Sequence, residues 1–181
     1  MERRDLYEAL AALGTIPFSD TVFRHVSMEF DCHSGEGASS RGGRWNPPES
    51  FPTLYTALSL ETMAAEFLRL AARSGLSPEL LLPRKICHFT ASLASVVDLT
   101  SKVGLQAVGL SPTDVASDDW SSCRVVGEAV CKFGYEGLLS RSASGTGTVL
   151  VVFPLNLSPT SEVTANRTST WQTLADLPTT R

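Results

Sequence analysis

Residues 41–67 read "RGGRWNPPESFPTLYTALSLETMAAEF", and the order of the parts within this stretch decides how the chain around it folds. The glycine pair and Trp-Asn-Pro-Pro read as a tight turn, Gly42 and Gly43 allowing positive φ and Pro47-Pro48 stiffening the exit. "TLYTA" at 53–57 suits a short strand. Ser59 then offers an N-cap, and Leu60, Met63, Ala64, Phe67, Leu68 and Ala71 follow helical spacing up to Gly75, a natural stop. With successive residues turned by about 100°, Glu66 falls at the margin of that apolar stripe, where a carboxylate faces a groove.

Upstream, residues 5–13 read as a helix stopped by Gly14, and "TVFRHVS" at 21–27 alternates as a strand does, with Arg24 in its middle. Residues 28–50 lose periodicity and fill with Gly, Ser and Pro, making a long loop of a kind compact domains keep for a use. Downstream, "LSPELLL" is a helical turn with Pro78 in its first turn, "RKICHFTAS" and "SVVDL" are strands, and "SPTDV" starts another turn. A helix, "WSSCRVVGEAVCKF", is capped by Asp118 or Asp119, carries Ser121 in its first turn and ends at Gly134. "YEGLLS" and "TVLVVFP" are strands. The "SASGTGT" between them, at 142–148, lacks the lysine and strand–loop–helix context of a phosphate loop and reads as a hairpin turn. Strands and helices without regular βαβ alternation predict an α+β fold, a mixed or antiparallel sheet core with flanking helices. One domain is expected over 1–157, with its core at 15–153. The Ser/Thr-rich remainder, 158–181, reads as a polar tail.

Composition narrows the function classes. With 181 residues and 43% hydrophobic content the chain can bury one sizeable core, and a net charge of −4 gives no overall field for sequence-blind nucleic-acid binding. "MERRDLYEALAAL" mixes acids into its apolar stretch, unlike a secretory leader, and no run approaches the ~20 apolar residues of a membrane helix. A cytoplasmic protein is expected. Cys32, Cys87, Cys123 and Cys131 are scattered without C-x-x-C spacing and read as structural thiols rather than zinc ligands or disulfides, so no metal is expected.

If they converge, Arg24, Arg44, Tyr55, Glu66 and Ser121 form a coherent chemical set. Two guanidiniums fork onto phosphate oxygens, and a helix start offers free N–H groups to an anion. A tyrosine face suits a base or nicotinamide, while a carboxylate stabilises the positive charge that builds at an anomeric carbon as an N-glycosidic bond breaks. A dinucleotide is the natural substrate class. The plainer alternatives are a surface Glu66–Arg69 pair, an ordinary core Tyr55, a Trp45 core anchor and a glycine turn with no ligand.

"GGRWNPP", then "LYTALSLETMAAEF", "DDWSSCRVVGEAV" and "GYEGLLSRSAS", resemble the RES-domain family, named for its Arg, Glu and Ser, and within it the mycobacterial-type RES toxins of RES–Xre toxin–antitoxin systems. The resemblance runs from about residue 15 to 153. It implies a fold like the ADP-ribosyltransferase toxins and cleavage of the nicotinamide–ribose bond of NAD as substrate, with inorganic phosphate or water as acceptor and no cofactor. It also implies an Xre-type helix-turn-helix antitoxin held in a hetero-oligomer, without direct nucleic-acid or membrane binding. By motif, the family arginines fall on Arg24 and Arg44, the tyrosine on Tyr55 and the glutamate on Glu66. The serine falls on Ser121 or Ser142, of which Ser121, at a helix start, is preferred. Two other readings remain: transfer of ADP-ribose to a protein, and a catalytically silent partner-binding module.

Overall fold

The computed structural model describes residues 3–178. Arg3–Leu13 forms α1, ended by Gly14 at φ 70. Ile16–Ser27 forms β1, Glu36–Arg41 the short α2, Leu54–Ala57 β2 and Leu60–Ser74 α3. The predicted caps of α3 are both in place, the Ser59 hydroxyl accepting the Thr62 N–H and Gly75 closing the helix in the left-handed region. The two strands expected at 84–99 are one long strand, β3 (Arg84–Leu99). Three helices follow: α4 (Lys102–Ala107), α5 (Pro112–Ala116) and α6 (Ser121–Lys132). The chain ends in β4 (Gly137–Arg141), β5 (Thr148–Val152) and β6 (Glu162–Trp171).

The sheet is mixed, with β3–β4 parallel and the other pairings antiparallel. Its pairings close a circuit, because β1 joins both β2 and β3, β3 joins β4, β4 joins β5 and β5 returns to β2. Every strand of that circuit contributes to one apolar cluster, with Val22, Leu54, Phe89, Leu139 and Leu150 among its members. The alternate residues Val97, Leu99, Leu138 and Val151 face the other way, against Leu6 and Leu10 of α1, Leu105 of α4, Val115 of α5 and Val126 and Val130 of α6. A third cluster packs Met63, Ala64 and Phe67 of α3 on Ile86 and Trp171.

One seam of the circuit is weak. β1 pairs with β3 from Ile16↔Val96 to Ser27↔Arg84, but with β2 only at Phe23↔Ala57. Beyond that point β1 and β2 part, and the long connection between them, residues 28–53, is left to line the gap.

Two expectations are corrected. Residues 162–171, read as part of a polar tail, form β6 along β3 from Arg84↔Trp171 to Ser92↔Glu162, with Trp171 buried. Its threonines suit an edge strand with one wet face, and such a strand carries little apolar periodicity. Second, Cys32 and Cys87 are joined as a disulfide, their Cα atoms 5.9 Å apart. Pairing across 55 residues of sequence cannot be read from local spacing. Cys123 and Cys131 are free and buried.

Candidate active site

Where β1 and β2 part, a cleft of about 500 Å³ opens, within the range of small-molecule sites. Seven arginines line it: Arg24, Arg41, Arg44, Arg69, Arg73, Arg84 and Arg141. Among the described residues, Glu66 is its single carboxylate. An acidic chain therefore concentrates positive charge in one concavity.

Glu66 reaches the cleft from the margin of α3, as its helical position predicted. The surface pair with Arg69 does not form, because Arg69 turns to Asp118 at 2.8 Å. Instead Glu66 Oε1 accepts the hydroxyl of Ser142 at 2.5 Å. Ser142 is 5% exposed, at the start of the β4–β5 turn, and its oxygen also lies 2.5 Å from Ser144 Oγ. Positive φ at Gly145 and Gly147 lets that turn fold back toward α3. Ser121, the preferred serine from the sequence, is exposed on α6, and neither serine is part of the cleft lining, Ser142 facing a neighbouring pocket behind Ala143 while its hydroxyl reaches Glu66. Asp119 already occupies that helix start, accepting the Ser121 N–H at 2.9 Å, so the serine beside the glutamate is Ser142.

Arg24 stands on β1 with its fork on the connecting loop, Nη1 donating to the Cys32 carbonyl and Nη2 to the Ser34 carbonyl, both at 2.7 Å. Burial brings its guanidinium down to about 10. Arg44 donates Nη1 to the Ser117 carbonyl at 2.7 Å, and burial lowers its pKa as well. Each arginine is thus held by backbone and keeps N–H groups unspent for a ligand.

Tyr55 serves the loop. Its hydroxyl donates to Asn46 Oδ1 and accepts the Trp45 N–H, both at 2.8 Å, and burial raises its pKa. Gly43 crosses directly over this ring, where a Cβ would meet the tyrosine oxygen. Asn46, fully buried, also donates to the Ala38 carbonyl at 2.7 Å. Trp45 is the core anchor expected of it, 1% exposed. The turn motif is therefore built to deliver Arg44, with Tyr55 as its post.

The sequence reading missed two further groups. The Trp120 ring lies in the cleft wall with the Arg73 guanidinium 3.8 Å from its centroid and those of Arg124 and Arg44 at 5.3 and 5.4 Å. His25 accepts from Arg84, whose Nη2 lies 3.0 Å from its Nδ1, and burial lowers it to about 3, so it is neutral. The tryptophan of "DDWSS" was a visible signal. The His25–Arg84 pair joins residues 59 apart in sequence, with no local signature.

The RES domain model matches residues 21–174, most of the chain. The chain belongs to the RES-domain family. It is 36% identical over 156 residues to the NAD(+) phosphorylase MbcT of Mycobacterium tuberculosis and of Mycobacterium bovis, covering 85% of this chain and 84% of the relative in each case. Among solved structures, it is similar to the M. tuberculosis MbcT–MbcA toxin–antitoxin complex, with a TM-score of 0.87 and 32% identity over 93% of this chain and 92% of that one. The RES match extends past residue 157 through β6, so the edge strand lies within the matched domain.

Proposed function

We propose that this RES domain is the toxin of a bacterial toxin–antitoxin pair, acting in the cytoplasm as an NAD phosphorylase. It cleaves the nicotinamide–ribose bond and passes ADP-ribose to inorganic phosphate. The observation that carries this reading is the Glu66 carboxylate, hydrogen-bonded by Ser142, inside a cleft lined by arginines. The similarity to MbcT, a named NAD(+) phosphorylase, supports it.

The nicotinamide of NAD is cationic and departs neutral with the bonding electrons, so its loss needs no proton donor. What the reaction needs is stabilisation of the positive ribose carbon left behind, which a fixed carboxylate supplies. Ser142 holds that carboxylate by its hydroxyl, and Tyr55 acts through the loop by fixing Arg44. The free N–H groups of Arg24 and Arg44 bind the pyrophosphate and direct a phosphate oxygen onto the ribose carbon, displacing attack by bulk water through proximity. The inhibitor is a helix-turn-helix antitoxin of Xre type, bound over this cleft.

The test is to incubate the purified chain with NAD across a phosphate titration at constant ionic strength and follow products by mass. Nicotinamide should appear at a rate that rises and saturates with phosphate, together with a phosphorylated ADP-ribose. A flat rate yielding plain ADP-ribose would make the protein a glycohydrolase, and label moving onto protein would make it a transferase.

A further inference from the structure

Arg24 and Cys87 face each other across the β1–β3 ladder, and the disulfide ties Cys32 to that same Cys87. Cys32 is thereby held over the backbone of the residue opposite Arg24. Its carbonyl in turn takes Arg24 Nη1, while the carbonyl two residues on, at Ser34, takes Nη2. Both ends of the arginine's fork therefore depend on where one cross-linked loop residue sits. The loop runs on from Ser34 through Gly37, Ala38, Arg41 and Gly43 to Arg44, all in the cleft wall.

We propose that the Cys32–Cys87 disulfide is a positioning element of this site, one that holds Arg24 and the loop in the ligand-binding arrangement, so that affinity for the anionic dinucleotide depends on the oxidation state of the pair. The proposal rests on the NAD reading for its ligand, but its structural half stands apart from it. Reduction by a dithiol breaks the sulfur–sulfur bond through two exchange steps. The dithiol becomes a cyclic disulfide, and its two electrons and two protons leave Cys32 and Cys87 as thiols. Oxidation by a small disulfide such as oxidised glutathione reverses this. The fold does not depend on this bond, because β1 and β3 are joined along their ladder from Ile16↔Val96 to Ser27↔Arg84 without it. What is lost is the tether that keeps the Cys32 carbonyl under Arg24. Disulfides are uncommon in the cytosol except as transient or regulatory links, which is the use this placement suits.

Three measurements on the full chain, each in the oxidised and the dithiothreitol-reduced state, test it. Peptide mass mapping should find Cys32 bonded to Cys87 after oxidation. Amide hydrogen exchange should speed up in residues 32–44 on reduction while β3 stays protected. The KM for NAD should rise about tenfold, with kcat changed less than twofold, and return on reoxidation. The Cys32→Ala/Cys87→Ala protein should show the reduced values in either buffer. Free thiols at both positions after oxidation, or unchanged loop exchange, would overturn the proposal whether or not NAD is consumed. An unchanged KM in a protein that does consume NAD would overturn it too. No turnover in either state, with loop exchange still redox-dependent, would count against the NAD reading alone and leave the positioning role supported.

Discussion

Glu66 and Ser142 lie 76 residues apart in the chain and 2.5 Å apart in the fold, and their separate contributions can be measured. Glu66→Gln keeps the shape and the contact to Ser142 while removing the negative charge, so kcat should fall by at least about 100-fold, the scale of losing an electrostatic contact made in the transition state. Its thermal midpoint should stay within a few degrees of wild type. Ser142→Ala should lower kcat less, by about tenfold, since the carboxylate remains but is no longer oriented. Ser121→Ala should leave both constants near wild type. If the serine effects came out reversed, the geometric assignment would be wrong and the helix-start reading right. His25 gives a pH prediction of definite sign. Its pKa falls from 6.5 to about 3 on folding, so between those values the unfolded chain holds more protons and stability declines as pH drops. His25→Gln retains an acceptor for Arg84 without a titrating ring, and denaturant melts between pH 6.5 and 4 should show a shallower decline.

At the level of elements, legibility tracks how local each signal is. α3 could be read from its stripe, the Ser59 cap and Gly75, because all of its signals lie within its own length. α6 and the strands β1, β2, β4 and β5 were legible for the same reason. Arg24 and Glu66 could be placed by their positions on β1 and α3, whereas Arg44 lies on the connection between α2 and β2 and was singled out by its "GGRWN" motif. β6 was not, since an edge strand of Thr and Ser is specified by the partner it lies against, and that partner, β3, lies elsewhere in the sequence. The same non-locality hid the disulfide and the Glu66–Ser142 contact. Gly127 is a case where an element's packing depends on one missing carbon. It lets α6 approach the loop so closely that a Cβ there would lie 1.9 Å from the Trp45 carbonyl oxygen. In an exposed helix Gly→Ala is favourable by roughly 1 kcal/mol, but here overpacking of about 1–3 kcal/mol against backbone dominates. Gly127→Ala should therefore lower stability in chemical denaturation and also raise the KM for NAD, as Trp45 and the adjoining Arg44 are pushed aside. A stabilised variant would mean that α6 and the loop are not in this contact.

Over the whole molecule, charge is distributed so that any anionic ligand, substrate or partner, is drawn to one place. The chain carries −4 overall, yet its cleft gathers seven arginines against one glutamate, and at its mouth stand the exposed apolar side chains of Phe30 and Leu70. A partner that presents an apolar segment ending in a carboxylate would satisfy both features, burying Phe30 and Leu70 while its anionic end enters the guanidinium field. Inhibition by the antitoxin should accordingly be competitive with NAD, and the association rate should fall steeply with added salt while dissociation changes little. Arg73, which stacks on Trp120 and pairs with Asp118, lines the cleft at its Trp120 wall, about two helical turns along α3 from Glu66. Arg73→Glu should therefore slow partner association by about tenfold while retaining measurable NAD turnover. Rates from surface capture at several salt concentrations, set beside NAD competition assays, give both readouts. Fully non-competitive inhibition with salt-independent association would place the partner on another face and remove the cleft as its binding site.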